Sequence, residues 1–100
     1  MATDITITRE ETASKGRYLA RIEGQAEEAE MTFSRVSASQ VIIDHTGVPD
    51  SLRGLGVGVA LARHAVEDAR TRGFRVVPLC PFFKAQAQRH PDWSDVVTGI

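Results

Sequence analysis

The hydrophobic positions of this chain change their spacing near its middle. Up to about residue 46 they alternate with polar ones, and beyond residue 55 they recur every three or four residues. Alternation sends side chains to the two faces of a strand, whereas the longer period lines them along one side of a helix. Ile5-Thr6-Ile7-Thr8 predicts a first half-buried strand, and a turn around Ser14-Lys15-Gly16 follows it. Tyr18, Ala20 and Ile22 form the apolar face of a second strand, which Gly24-Gln25 breaks as a hairpin turn does. Ala29, Met31 and Phe33 predict a third strand, with Glu30, Thr32 and Ser34 on its other face. Val41 to Thr46 is more continuously apolar and predicts a central fourth strand covered on both faces.

From Leu55 to Arg72 the spacing predicts a helix. Leu55, Val59, Ala62, Val66 and Ala69 form its stripe, Leu61 and Ala65 widen it, and Gly73 ends it as a C′ glycine. Phe74 to Leu79 predicts a fifth strand, and Pro81 to Arg89 a short helix that opens on proline and stops at His90-Pro91. Trp93, Val96 and Val97 then tuck the C-terminus against the core. The order implies an α+β fold: antiparallel strands, a right-handed crossover that makes strands four and five parallel, and a closing helix. Pro78 cannot donate to a ladder, so strands four and five are expected to splay apart there and open backbone groups to a ligand.

Composition narrows the function classes. A chain of 100 residues, 42% hydrophobic and 25% charged, is expected to form a single domain over 1–100. A formal net charge of -1 provides no general attraction to nucleic acid or acidic membranes. No apolar run is long enough to span a bilayer and no signal peptide is recognisable, so a soluble, cytoplasmic protein is expected. The single cysteine rules out an intrachain disulfide and a four-cysteine zinc site, and the three scattered histidines do not make a metal site.

The richest chemistry lies in Arg53-Gly54-Leu55-Gly56-Val57-Gly58, between the apolar fourth strand and the long helix. Glycines allow close approach to the backbone, a helix start aims unpaired N–H groups outward, and Arg53 adds positive charge. Together they predict a phosphate-bearing ligand. The dinucleotide fingerprint fails, because its third glycine falls on Val59, and the lysine and hydroxyl of a P-loop are absent. Taken alone, the glycines fit a tight packing turn equally well.

The spacing Arg-x-x-Gly-x-Gly, carried by Arg53, Gly56 and Gly58, resembles the pyrophosphate-binding motif of the GNAT superfamily of acetyl-CoA-dependent N-acetyltransferases. Val48-Pro49-Asp50-Ser51-Leu52 resembles the segment leading into that motif, and Pro78 to Trp93 is similar to the signature of a short, single-domain branch. The resemblance implies a minimal GNAT-like fold and transfer of acetyl from acetyl-CoA to an amine, either a small molecule or a protein lysine. It implies cofactor contacts at Val48, Arg53, Gly54, Leu55, Gly56, Val57 and Gly58, with the diphosphate on the amides and the backbone of Val48 on the pantetheine arm. Asp50 and Leu52 depart from the commonest family residues, proline and an aromatic, at positions that do not touch phosphate. A tight first hairpin replaces the helices that larger relatives insert, which implies an open acceptor side.

His45, at the end of the fourth strand, is the expected base, in keeping with its place in that branch; a histidine at a sheet edge also serves plain local hydrogen bonding. Cys80, before Pro81, is expected to cap the last helix, whose N-terminus favours a thiolate. Two roles stand open for it, nucleophile or proton donor to departing coenzyme A, beside the plain reading of a small buried residue. The larger relatives' tyrosine is missing, since Tyr18 is the only one in the chain. His64 is expected on the solvated face of the helix, Phe82, Phe83 and Trp93 in the core, and Lys84 and Arg89 within reach of the adenosine phosphate or of water. A non-catalytic CoA or acyl-CoA binding module and a protein-interaction domain are the alternative functions.

Overall fold

The computed structural model describes residues 4–99. Its sheet comprises β1 (Ile5–Glu11), β2 (Lys15–Ile22), β3 (Glu28–Ser37), β4 (Gln40–Gly47) and β5 (Arg75–Pro78), in spatial order β1-β2-β3-β4-β5. The first three pairings are antiparallel and β4 pairs with β5 in parallel, as the crossover requires. The helices are α1 (Val57–Arg72) and α2 (Pro81–Gln88), with single helical turns at Asp50–Leu52 and Pro91–Asp95.

Alternation becomes burial directly. Tyr18 and Ala20, Met31 and Phe33, and Val41 and Ile43 pack against Leu61, Ala65 and Val66 of α1 and Phe83 of α2 in one core. Phe83 and Trp93 are buried as expected, and Val97 bridges to Val76 along the outer edge of β5. Gly16 is required by packing: a Cβ there would lie 2.3 Å from Cζ of Phe33.

Three expectations need correction. β4 is covered on one face only: Val41 and Ile43 are buried, while Ile42 and Asp44 are half-buried on the open side. Its apolar run reflects β-branched strand preference rather than a second covering layer. Leu55 precedes α1 and is exposed, so the buried stripe runs through Val57, Leu61, Ala62, Ala65, Val66 and Ala69. His64 is half-buried, its ring edge-on to Tyr18 at 5.4 Å between centroids, because it sits at the margin of the stripe over β2.

Beside His64 lies the ionic network that ties α1 to the first hairpin. The Tyr18 hydroxyl donates to Asp68 Oδ2 at 2.7 Å, and Arg72 Nε donates to Oδ1 at 2.6 Å. Arg9 Nε is 2.9 Å from Oδ2 but makes no directed hydrogen bond, so that contact is Coulombic. Burial and the neighbouring carboxylate push the Tyr18 phenol well above its ordinary value, which keeps it a hydrogen-bond donor.

Candidate functional site

Pro78 marks the place where the sheet opens. β4 and β5 pair from Gln40↔Arg75 to Ile43↔Pro78, and Cys80 N–H then donates to the Ile43 carbonyl at 2.8 Å. β4 runs on to Gly47 with no paired residue of β5 beside it. A groove of about 390 Å³ lies past this point, lined by Thr46, Val48, Leu52, Arg53, Gly54, Gly56, Val57, Gly58, Val59 and Phe82.

The floor of this groove is the N-terminus of α1. The first helical hydrogen bond runs from Ala60 N–H to Gly56 O, and no side chain caps the end. The N–H groups of Val57, Gly58 and Val59 therefore have no acceptor within the helix, and the helix dipole makes that end positive. Gly54 and Gly56 have φ of 79° and 77°, a conformation that strains any residue with a Cβ. Gly58 has a different reason: a Cβ there would lie 2.7 Å from Cζ of Phe82, whose ring rests on it. Two glycines thus shape the loop, and the third admits an aromatic wall. These uncapped amides and the open groove fit a diphosphate.

Arg53 lines the mouth, where its Nε is 3.0 Å from Asp50 Oδ1. Both side chains are exposed, so the pair is weak and a phosphate can compete for the guanidinium. Gly56→Ala is expected to weaken coenzyme A binding by about tenfold in calorimetric titration, since the left-handed conformation costs an alanine roughly 1–2 kcal/mol. Gly24→Ala, at φ 86° in the β2–β3 turn, carries similar strain away from the groove and leaves the affinity unchanged.

His45 and Cys80 do not meet. Thr32 pairs with His45 but Phe33 pairs with Ile43, so Asp44 is an extra residue, a β-bulge. The bulge turns His45 to the bare face, opposite Thr32 and exposed. Its neighbour Thr46 faces the helices, opposite buried Met31. Cys80 is on this second side, 3% exposed, with Sγ 3.4 Å from Thr46 Oγ1. Cys80 occupies the N-cap position of α2, as expected, and its thiol makes no capping bond. Ser34 Oγ donates to Asp44 Oδ2 at 2.7 Å on the bare face, where a hollow of about 560 Å³ has Thr32, Ser34 and Asp44 in its wall.

A parallel pair splayed at a proline over an uncapped glycine-rich helix start is the arrangement the sequence resemblance implies, and comparison with known proteins agrees. The family described as GCN5-related N-acetyl-transferase matches residues 17–96. The chain belongs to this family. The solution structure of a GCN5-like candidate N-acetyltransferase from Staphylococcus aureus superposes on this GCN5-related chain with a TM-score of 0.65. The two are 30% identical, over 93% of this chain and 89% of that one. No curated protein matches this chain.

Within this GCN5-related fold, Thr46, Leu52, Val59 and Phe82 are the groove residues that sequence reasoning missed. Phe82 was expected in the core with its neighbour Phe83, yet it is 37% exposed, because the first turn of α2 points it at Gly58 instead. The proximity of the polar pair His45-Thr46 to the strand end was the available signal for Thr46. His90 Nδ1–H donates to the Gln86 carbonyl at 2.8 Å and the ring stacks on Trp93, which fits a helix-stop role. Among the described residues no helix is long and apolar enough to cross a membrane, and no cluster of three or more metal-ligating side chains occurs.

Proposed function

We propose that this chain is an acetyl-CoA-dependent N-acetyltransferase that passes acetyl directly from the thioester to an amine. The observation that carries this reading is the groove where the end of β4, the N-terminus of α1 and Phe82 of α2 meet, floored by the unpaired amides of α1, with Cys80 against Thr46 of its wall and His45 on the bare face of β4. Val57, Gly58 and Val59 hold the diphosphate through their N–H groups, Arg53 swings from Asp50 to add charge, and Val48 lies along the pantetheine arm. Acetyl-CoA supplies the activated acyl group; the chain positions it and handles protons.

His45 takes the proton of the attacking amine on the bare face, where no helix of the described residues covers the sheet. Cys80, on the helix side, delivers a proton to the departing sulfur. The lack of contact between the two favours separate base and acid over a cysteine–histidine nucleophile pair, which needs hydrogen-bond reach between its members. The acceptor is an amine that approaches over the open face, small or borne on a protein. A cytoplasmic enzyme, where acetyl-CoA and a reduced thiol coexist, fits this chemistry.

Calorimetric titration with coenzyme A, paired with thiol release from acetyl-CoA over a panel of primary amines and lysine peptides, tests the reading. Binding with amine-dependent release supports it. Binding without release under any amine leaves a cofactor-binding module, and failure to bind removes both.

A further inference from the structure

Thr46 contributes the single side-chain hydrogen bond made to Cys80 among the described residues. It also lines the groove at the point where β5 has left β4. We propose that Thr46 is a positioning residue for the acyl transfer described above: its hydroxyl donates to Sγ of Cys80, leaving the thiol proton free to face the departing sulfur. The inference rests on the transferase reading for its chemistry, though not for its geometry.

Three observations carry it. The backbone of Cys80 is pinned at both ends, its N–H to Ile43 O and its carbonyl accepting from Lys84 N–H at 2.9 Å, so rotation about χ1 is the freedom left to the thiol. Thr46 faces the same side as buried Met31, which directs its hydroxyl toward α2 rather than solvent. Cys80 is 3% exposed, so little water reaches a thiolate formed there, and a buried charge without a donor is costly. The chemistry also sets the direction of the bond. A thiol that donated to Thr46 would aim its proton away from the reaction; a thiol that accepts from Thr46 keeps it available.

The step balances. The acceptor nitrogen bonds to the acyl carbon as the carbon–sulfur bond breaks, and the leaving sulfur keeps that electron pair and takes the proton of Cys80. The amine proton passes to His45. Thr46 holds the resulting thiolate while the products occupy the site; once they leave, solvent entering the vacated groove returns a proton to Cys80 and His45 releases one, so no net proton remains on the protein.

Thr46→Val keeps the shape and removes the hydroxyl, and Thr46→Ser keeps the hydroxyl. Thr46→Val is expected to lower kcat by about tenfold, and Thr46→Ser to restore it. In a Cys80→Ala background, Thr46→Val is expected to add no further loss, because the hydroxyl acts only through the thiol. The chain has one cysteine, so alkylation by iodoacetamide reports on Cys80 alone. Thiolate is the reactive form, so alkylation should slow several-fold in Thr46→Val and not in Thr46→Ser. A wild-type kcat in Thr46→Val, additive losses in the double variant, or alkylation equal in all three proteins would overturn the proposal. If wild type forms no acetylated product but alkylation slows only in Thr46→Val, the transferase reading falls and the positioning of the thiol stands.

Discussion

His45→Ala is expected to lower turnover of acetyl-CoA with a primary amine by about 10²–10³-fold at neutral pH, the usual contribution of a positioned general base. An alkyl amine such as lysine titrates near 10.4, so at pH 7 nearly all of it is protonated and cannot attack. Histidine side chains exchange protons near neutrality and can take the one the amine must lose. Raising the pH supplies neutral amine without help, so the variant should close on wild type between pH 7 and pH 10. Coenzyme A affinity should not change, because His45 faces the bare side of the sheet and does not line the groove proposed to hold the cofactor. Thiol release measured across that range, with binding titrated in parallel, checks both parts. A loss that stays constant with pH would point to a structural role.

The second large effect concerns stability. Asp68→Ala is expected to cost about 2–4 kcal/mol, since it strands the buried Tyr18 hydroxyl and removes the carboxylate that offsets Arg9 and Arg72. For a domain of this size that is a fall in Tm of roughly 10–20 °C. The pH dependence follows from the carboxyl's own titration. Burial pushes Asp68 up, but the Tyr18 hydroxyl and the guanidiniums of Arg72 and Arg9 outweigh it, holding the folded-state value below the ordinary 3.8. The unfolded chain therefore takes up this proton first as pH falls. The contribution is complete above the ordinary aspartate range and is lost as pH drops through the folded value. Glu11, held low chiefly by its hydrogen bond from Arg35, acts in the same direction in both proteins. Thermal melts of wild type and variant should differ most at neutral pH and converge toward pH 3.

Much of this architecture could be read from residue spacing. The alternations at Tyr18-Ala20-Ile22 and Ala29-Met31-Phe33 are the buried faces of β2 and β3, and the stripe from Leu61 to Ala69 is the buried side of α1. Pro78 announced the splay because a missing N–H is a local property that no partner can restore. What escaped depends on pairing across distance. The bulge at Asp44 exists only relative to β3, and without it His45 would have the same facing as Ile43. Cys80 and Thr46 are separated by 34 positions and meet only because the fifth strand delivers one to the other. Asp50 was read as a neutral departure from the family pattern, yet it engages Arg53, a contact that depends on the helical turn between them.

The bare face of the sheet has a last implication. An enclosed cavity measures its guest on every side and rejects what is too long; a floor without walls measures only the part that touches it. On the chemistry proposed for His45, bulk beyond the reacting nitrogen meets no helix among the described residues, so an amine borne on a folded partner is admitted as well as one on a slender metabolite.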